Sequence, residues 1–420
     1  MTPKDRWREA RRVLVVRLDG MGDLLMTTPA IAALRGASRH VTALVSDAGA
    51  AVAPLVPAID DVIVHRAPWM KPGAAPRDPV HPDAAARDSA PHDSLSRDSV
   101  SRDSAPHDST SRTSLPPDSP LPDSASRDAI IARLREARFD AAVIFTVATQ
   151  SALPAALLCY YAGIPLRLAH ARENPYDLLT DWVPDREAFG ICRHEVRRQL
   201  DLVATAGASI DDDRLRIRVP DASRERVARL LGLHGVPASR FVLLHPGASA
   251  PSRRYPPELF AEAASLLAER TGRPLVFSGG PEDIALVEDI RARLRAPSVS
   301  FAGALDLPDL AALIEAAPLL VCNNSGPSHI AAAAGTRTVV LYALTNPQHT
   351  PWRVASRVLS HEVPCRDCLK SVCPESHHAC LRGVPPARVA AAAEELLEGP
   401  TARGHGLRGP LAELHRHPPS

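Results

Sequence analysis

One carboxylate near the start of the chain, Asp23, stands where a side chain could do chemistry. The apolar run Val13–Val16 predicts a buried strand, the segment Asp19-Gly20-Met21-Gly22 predicts a tight turn, and residues 23–34 follow as a predicted helix. The turn of such a strand–turn–helix unit lies at the carboxyl edge of a parallel sheet, where open α/β folds bind their ligands. Asp23 could therefore be catalytic, or it could only cap the helix and complement its dipole.

The glycines of this turn do not complete a dinucleotide-binding fingerprint. That fingerprint needs a third glycine three positions after Gly22, and Leu25 occupies the position. The loop formed by Gly20, Met21 and Gly22 therefore gives no support to a dinucleotide site.

Three loops in the second half of the chain each follow a predicted strand and carry groups that suit a nucleotide diphosphate. Arginines can neutralise phosphates with forked donors, helix N-termini offer backbone N–H groups, and a carboxylate can accept from a ribose hydroxyl. Taken singly, each group has an ordinary explanation as a helix cap, a solvated arginine, a turn or a structural histidine. Their joint occurrence at strand ends favours a nucleotide-diphosphate site made of Ser249, Arg253, Arg254, Glu282, Asn324, Ser325, Gly326, Pro327, Ser328 and His329.

Four of the seven cysteines lie close together in the sequence, as Cys365, Cys368, Cys373 and Cys380. Four thiolates could close a tetrahedral zinc site, and a Cys-x2-Cys pair is a common half-site. The remaining spacings are unusual for a zinc ribbon, and His377 and His378 offer competing ligands. A structural zinc ion is thus one interpretation, an iron–sulfur cluster is another, and reduced thiols without a metal are the default.

Strands alternate with helices along most of the chain, which is typical of an α/β fold. The predicted strands are 41–45, 62–65, 141–145, 241–245, 274–278, 319–322 and 338–342, and the predicted helices are 130–137, 150–161, 193–206, 257–271 and 328–334. These elements form two α/β domains, residues 11–215 and residues 220–398. Two such domains in tandem normally bind their ligand in the cleft between them.

Residues 71–128 interrupt the first domain with a different composition. The segment is dominated by Ser, Asp, Pro, Arg and Ala, and its residues 87–94 recur in the same order at 102–109. Such a composition cannot bury enough apolar area to offset its ordering entropy, so a disordered insertion is predicted. It is either a neutral expansion of a surface loop or a partner-binding arm. The tail, residues 399–420, is predicted to be flexible.

The composition excludes several classes of function. A formal net charge of +1 and an aromatic content of 4% provide no basic or base-stacking surface for a nucleic acid. No apolar run approaches the ~20 residues that cross a bilayer, and the first ten residues are too polar for a signal peptide. We therefore expect a cytoplasmic protein whose cysteines are reduced or metal-bound.

Three stretches together resemble glycosyltransferase family 9, the group that contains the ADP-heptose:lipopolysaccharide heptosyltransferases. They are Arg17–Ala30, His245–Ser249 with Arg253–Pro256, and Ser325–His329. The similarity extends over nearly everything except the insertion and the tail. It implies a GT-B architecture, in which two Rossmann-like domains face each other across a cleft. The N-terminal domain would hold the acceptor and the C-terminal domain the sugar nucleotide.

The resemblance also implies roles for single residues. Asp23 matches the family's proposed general base, and the loop Gly20–Gly22 would serve the acceptor. Arg253 falls where the family usually has a lysine that contacts the donor phosphates, and residues 325–329 match the donor loop. Asn324 departs from the family's usual aspartate. An amide both donates and accepts, whereas a carboxylate only accepts at pH 7, so this departure bears on the choice of sugar and on activity.

The predicted reaction is an inverting, metal-independent transfer of a heptose or similar sugar from a nucleotide-diphosphate donor, ADP-linked by resemblance. The acceptor would be a lipopolysaccharide core or another glycan, and a lipid-linked one would bring the protein to the inner face of the cytoplasmic membrane. Asp23 would take the acceptor proton, while Arg253 and the helix amides would meet the departing charge without a cofactor. An alternative, motivated by Asn324, is an inactive sugar-nucleotide-binding protein that acts through its insertion, and a sugar-nucleotide epimerase is a third interpretation.

Overall fold

Two parallel sheets of six strands each are the framework of the computed structural model, which describes residues 3–36, 39–70, 124–187 and 193–399. The first sheet comprises β1 (Arg12–Arg17), β2 (His40–Val45), β3 (Asp61–Val64), β4 (Ala141–Ile144), β5 (Leu166–Ala171) and β6 (Asp181–Pro184). The second comprises β7 (Val242–His245), β8 (Leu275–Phe277), β9 (Ser298–Ser300), β10 (Leu319–Asn323), β11 (Arg337–Leu341) and β12 (Ser356–Leu359). Each sheet is the centre of one domain.

The strands follow the same spatial order in both domains. The first sheet runs β3-β2-β1-β4-β5-β6 and the second runs β9-β8-β7-β10-β11-β12, with every neighbouring pair parallel. This is the doubly wound arrangement, in which the chain direction across the sheet reverses once. The reversal lies between β1 and β4 in the first domain and between β7 and β10 in the second, and crevices open there at the carboxyl ends of the strands.

Helices cover both faces of each sheet, so the inner strands are buried along almost their whole length. The first domain contains α1 (Pro3–Glu9), α2 (Met21–Arg35), α3 (Asp47–Val52), α4 (Ser124–Glu136), α5 (Leu153–Tyr161) and α6 (Glu195–Thr205). The second contains α7 (Asp221–Leu233), α8 (Pro257–Thr271), α9 (Ile284–Ala292), α10 (Leu307–Ala316), α11 (Gly326–Ala334), α12 (Ala379–Arg382) and α13 (Pro386–Glu398). In the described part of the chain, none of these helices has the length and apolar character needed to span a bilayer.

Helix α2 lies where the two domains meet. It packs against α6 of its own domain and against α11 of the other. One apolar cluster includes Leu24 and Leu25 of α2 together with Ile330 and Ala331 of α11. The apolar core is therefore continuous between the domains, and it holds the N-termini of α2 and α11 near each other.

The predicted α/β fold is confirmed, and the differences lie at the ends of elements. Helix α2 begins at Met21 rather than Asp23, and α11 begins at Gly326 rather than Ser328. Residues 124–128 belong to α4 rather than to the predicted insertion. The rest of that insertion, residues 71–123, lies outside the described residues, as does the predicted tail from residue 400 onwards.

The sequence patterns do not predict β5, β6, β9 and β12. Three of them, β6, β9 and β12, lie at sheet edges, where a strand needs fewer apolar residues. Strand β5 is buried throughout yet contains Arg167 and His170, whose polar ends have partners inside the domain. Arg167 Nε donates to the backbone oxygen of Leu178 at 2.8 Å, and His170 Nε2 lies 3.3 Å from the backbone oxygen of Arg198. These polar residues interrupt the apolar pattern by which a buried strand is recognised.

Candidate functional site

Asp23 lies in the first turn of α2, beyond the carboxyl end of β1. The backbone N–H of Gly20 donates to Asp23 Oδ2 at 3.0 Å, which caps the helix. The other oxygen, Oδ1, lies 3.5 Å from Arg17 Nη2 and 3.9 Å from His349 Nε2. Oδ2 therefore caps the helix while Oδ1 faces the guanidinium of Arg17 and the imidazole of His349. The helix-cap and catalytic interpretations of Asp23 are thus compatible.

Arg17 connects Asp23 to two further carboxylates. Its side chain has no exposed surface, and its Nε lies 2.9 Å from Asp19 Oδ2 while its Nη1 lies 2.8 Å from Glu195 Oε1. Gln199 donates its Nε2 to the same Glu195 oxygen at 2.7 Å. The buried charge cluster thus joins the end of β1, the following turn, the start of α2 and the start of α6.

The pKa values of Asp23 and Asp19 are shifted in opposite directions within this cluster. Burial alone raises the pKa of Asp23, but the charge of Arg17, helped by His349, outweighs burial, and the pKa is lowered. For Asp19, burial outweighs Arg17, the nearby Asp23 carboxylate adds to burial, and the pKa rises to about 7. Asp23 is therefore the carboxylate that stays ionised through the neutral range, as a proton acceptor must.

The loops Gly20–Gly22 and Ser325–His329 touch at the N-termini of α2 and α11. A Cβ on Gly22 would lie 2.8 Å from His329 Cδ2, and a Cβ on Gly326 would overlap the terminal methyl of Met21. Glycine at these two positions allows the helix starts to approach. The structure therefore brings together the residues that the sequence places on opposite sides of a cleft.

His329 is buried between charged groups at this contact. Burial, with the nearby His349, lowers its pKa to about 3, so the imidazole is neutral at pH 7. The charge of Arg253 also acts on His329. Among the described residues, neither His329 Nδ1 nor Arg253 Nε has a hydrogen-bond partner, although both atoms are buried. Buried polar atoms without partners are unusual in proteins and mark places where a ligand could bind.

The remaining residues of the α11 loop are held in fixed positions. Ser328 is buried, and its hydroxyl donates to the backbone oxygen of Ser325 at 2.8 Å. Pro327 lies in the first turn of the helix, where the missing N–H costs nothing. Asn324 is also buried, and its Oδ1 accepts from the backbone N–H of Ala343 at 3.4 Å.

The other predicted donor residues lie at the rim of the site. Arg254 donates its Nε to the backbone oxygen of Ala248 at 2.8 Å, so it braces its own loop. Ser249 and Glu282 are both exposed. The charge of Glu282 acts on the buried His245 of β7. A role of Ser249 or Glu282 in donor binding stays a prediction.

A bridging segment, residues 344–354 between β11 and β12, reaches from the second domain onto the first. The backbone oxygen of Gln348 accepts from the N–H of Glu195 at 3.1 Å, which caps the start of α6. Trp352 donates its Nε1 to the backbone oxygen of Asp213 at 2.8 Å. This segment also carries the histidine that faces the carboxylate in the first turn of α2.

The sequence patterns do not single out Arg17, Glu195 or His349 as site residues. A signal for Arg17 is present, because an arginine at the end of an apolar strand is unusual, and only Leu18 separates it from the predicted turn. Glu195 and His349 come close to Asp23 only through long-range packing, and no local pattern marks them.

The structure gives no support to the zinc interpretation of the four-cysteine segment. In the part of the chain that the structure describes, no group of three or more His, Cys, Asp or Glu side chains could hold a metal ion. Cys365 Sγ instead lies 3.7 Å from His377 Nε2. Two backbone oxygens of this segment accept hydrogen bonds from Ser252. Its N–H donates to Ser371 O at 3.0 Å and its hydroxyl donates to Lys370 O at 2.7 Å. The loop that contains Cys365, Cys368, Cys373 and Cys380 therefore braces the residue that precedes Arg253.

Known sequences are similar to parts of this chain. Residues 127–379, more than half of the chain, match the sequence profile of glycosyltransferase family 9 (heptosyltransferase). Lipopolysaccharide heptosyltransferase 2 of Escherichia coli is 28% identical over 270 residues, which are 61% of this chain and 75% of that protein. Lipooligosaccharide heptosyltransferase 2 of Campylobacter jejuni is 29% identical over 161 residues, 37% of this chain. The chain spans only 50% of that relative's length.

Solved structures share the fold over nearly the whole chain. A glycosyl transferase family 9 protein from Veillonella parvula has a TM-score of 0.66 at 20% identity, with 92% of this chain and 97% of that one covered. The ADP-heptose lps heptosyltransferase II of E. coli has a TM-score of 0.64 at 21% identity, with 92% and 98% covered. The architecture of this chain is accordingly GT-B.

Replacing Arg17 with methionine should reduce stability and change its dependence on pH. Breaking a buried ion pair leaves uncompensated charge, at a cost of about 3–5 kcal/mol. The lowered pKa of Asp23 means that its contribution to stability is present above the ordinary value of 3.8 and is lost as the pH falls through the folded pKa. Without Arg17 that folded pKa rises, so the Arg17→Met protein should unfold at a higher pH during acid titration followed by circular dichroism.

Arg17→Lys is the matched control for this prediction. A lysine keeps the charge and loses only the forked geometry, so its acid midpoint should lie between those of the wild type and Arg17→Met. Equal acid midpoints for all three proteins would contradict the role given to Arg17.

Gly326→Ala should destabilise the protein at the contact between the N-termini of α2 and α11. The new Cβ overlaps the Met21 methyl, and overpacking costs about 1–3 kcal/mol. The double variant Met21→Ala/Gly326→Ala removes the overlap, so urea unfolding of the four proteins should yield a coupling energy of about 0.5–3 kcal/mol. Gly232→Ala is the control, because a Cβ there meets nothing within 4 Å. A coupling energy near zero would show that the two residues do not touch in solution.

Proposed function

The chain belongs to glycosyltransferase family 9, and from this membership we propose that it transfers a glycosyl unit from a nucleotide-diphosphate donor to a glycan acceptor. The observation that supports this most directly is that Asp23 lies close to His329, on which the charge of Arg253 also acts. An ionised carboxylate of the first domain lies beside an anion-binding loop of the second. A base and a leaving-group site must lie that close for glycosyl transfer.

The donor side of the proposal is a nucleotide diphosphate bound at the start of α11. The helix N-terminus presents backbone N–H groups and a partial positive charge, and Arg253 adds a full positive charge. A similar protein of known structure is named for ADP-heptose, which supports an ADP-linked heptose or a related sugar as the donor. In this proposal residues 220–398 bind the donor and residues 11–215 bind the acceptor.

The proposed reaction is a single displacement. An oxygen of the acceptor attacks the anomeric carbon from the face opposite the diphosphate, the bond from that carbon to the phosphate oxygen breaks, and the configuration inverts. Asp23 accepts the proton of the attacking hydroxyl. The negative charge that develops on the departing diphosphate is met by Arg253 and the amides of α11. Because these groups can neutralise the charge, we propose that no divalent cation is required.

The acceptor in this proposal is a lipopolysaccharide core or a related glycan. The support is the naming of similar proteins as lipopolysaccharide and lipooligosaccharide heptosyltransferases. Such acceptors are carried by lipid, so the same proposal includes a peripheral contact with the inner face of the cytoplasmic membrane.

The departure at Asn324 does not favour an inactive binding protein. The Oδ1 of Asn324 accepts from the N–H of Ala343, a contact that an aspartate oxygen would also make. The change from a carboxylate removes a negative charge near the donor loop while it keeps this contact, so we retain catalysis as the proposed function.

Asp23→Asn should abolish transfer while it leaves donor binding nearly intact. General-base catalysis contributes about 10²–10⁴ to the rate, so kcat should fall by that factor. The assay supplies ADP-sugars and other nucleotide sugars with truncated lipopolysaccharide cores, and it separates glycan product, released nucleotide and isomerised donor. Calorimetric binding of ADP should not change. Asp47→Asn, an exposed carboxylate paired with Arg66, is the control. Transfer at the wild-type rate would overturn the assignment of Asp23.

Arg253 should be required for the departure of the diphosphate. Removing one preorganised donor to developing charge costs about 10²–10³ in kcat, and Arg253→Gln should show such a loss. Arg253→Lys keeps the charge and should retain most of the activity, as the family's usual lysine at this position suggests. Equal losses in the two variants would point to a requirement for the forked guanidinium rather than for charge.

A further inference from the structure

We propose that the cavity between the carboxyl ends of β1 and β4 binds one uncharged sugar ring of the acceptor. The proposal rests on the glycosyl transfer proposed above and names the chemical class of the acceptor unit next to the base. The cavity has a volume of about 300 Å³ and lies at the point where the strand order of the first sheet reverses. Small-molecule sites range over about 300–1,000 Å³, so this cavity suits a single ring rather than an oligosaccharide.

The polar side of the cavity is built from Asp19, Thr146, Thr149 and Gln150. The Gln150 side chain hydrogen-bonds to Asp19. These groups combine donors and acceptors at short spacing, and the vicinal hydroxyls of a sugar need such a combination.

Two residues of α6 fix the backbone of Thr146, which lines the cavity. Arg198 donates its Nε to the backbone oxygen of Thr146 at 3.3 Å, and Gln199 donates its Nε2 to the same oxygen at 3.0 Å. Arg198 is itself fixed by Asp185, whose two oxygens lie 3.0 and 3.2 Å from its terminal nitrogens. Because the backbone at Thr146 is already fixed, a ligand that binds there costs little conformational entropy of the protein.

An aromatic ring, that of Trp69, also lines the cavity. Trp69 lines the cavity with 38% of its surface exposed, and its ring centroid lies 6.0 Å from that of the buried His65. An indole presents a flat apolar face together with an N–H donor. The C–H face of a sugar ring can pack on such a surface while its hydroxyls reach the polar side.

The charge of the lining favours a neutral ligand. None of the described lining residues is a lysine, arginine or histidine, and Asp19 is the one ionisable group among them. The guanidinium of Arg17 contacts Asp19 but has no exposed surface, so it cannot meet a ligand. A phosphorylated or acidic sugar would enter beside a carboxyl group with no counter-charge among the described lining residues, and desolvation of its anion would cost several kcal/mol. A neutral ring avoids that cost.

The cavity is coupled to the reaction through Arg17. This guanidinium contacts Asp19 in the cavity wall at 2.9 Å and Asp23 at 3.5 Å. A carboxyl group of the cavity wall therefore shares its counter-charge with the carboxylate that would take the acceptor's proton. Asp19 acts here as a binding and positioning residue, whereas Asp23 remains the base.

The test is a direct binding measurement on the full chain, without a donor. The probes are methyl glycosides of neutral hexoses and heptoses, compared with the 6-phosphates and the uronic acids of the same sugars. Saturation-transfer NMR reports which ligand protons contact the protein, and isothermal titration calorimetry provides the dissociation constant. We expect neutral glycosides to bind, and Trp69→Ala and Gln150→Ala to raise the dissociation constant by at least about tenfold, as the loss of a packed ring or of one or two hydrogen bonds predicts.

Two controls separate binding from folding. Trp182→Ala removes an exposed tryptophan of β6 that does not line the cavity, and it should leave the affinity unchanged. Thr149→Val is nearly isosteric and should weaken binding with an unchanged thermal midpoint, which covers the case in which Trp69→Ala folds poorly.

The outcomes distinguish this proposal from the proposed function. Absence of binding by every neutral glycoside, tighter binding of the 6-phosphates, or equal affinity of the wild type and the cavity variants would overturn the neutral subsite. Neutral binding that the variants lose, in a protein that transfers no sugar from any nucleotide donor, would overturn the transferase and leave the subsite intact. If transfer occurs, the variants should raise the acceptor KM while the donor KM stays unchanged.

Discussion

A guanidinium without access to water is the constraint on which the rest of this structure depends. Arg17 extends from β1 into the interior, and burying one such charge without partners costs several kcal/mol. Asp19, Asp23 and Glu195 meet that charge, and each comes from a different element, so the turn, α2 and α6 must all be in place together. The same interaction that makes the burial of Arg17 tolerable also keeps the carboxylate of Asp23 ionised.

The site exists only across the contact between the domains. Asp23 belongs to the first domain, while His329 and Arg253 belong to the second, and the bridging segment fastens one to the other. Within that segment the Thr350 oxygen lies 2.8 Å from His194 Nε2. A hinge motion that separates the domains would therefore pull Asp23 away from the loop at the start of α11. If the proposed function holds, binding of the two substrates and assembly of the site are coupled.

Local patterns in the sequence predict the fold class and the motif-borne part of the site, and long-range packing determines the rest. The run Val13–Val16 with its turn is sufficient to place Asp23 at a sheet edge, because periodicity and glycine act locally. Glu195 and His349 have no such signal, since only the folded chain brings them to Arg17 and Asp23. The zinc interpretation of residues 365–380 gains no support among the described residues, because cysteine spacing alone does not determine whether the thiols converge in the folded chain. Edge strands such as β9 are too short and polar to be recognised.

The contact between Met21 and Gly326 limits the substitutions that evolution can accept at either position. The methionine methyl fills the space that any side chain at position 326 would need, and the two residues belong to separate domains. A larger residue can arise at one position only where a smaller one has already arisen at the other. The two domains are thus not free to diverge independently, and exchanging whole domains between distant homologues would bring together surfaces that were never selected to fit.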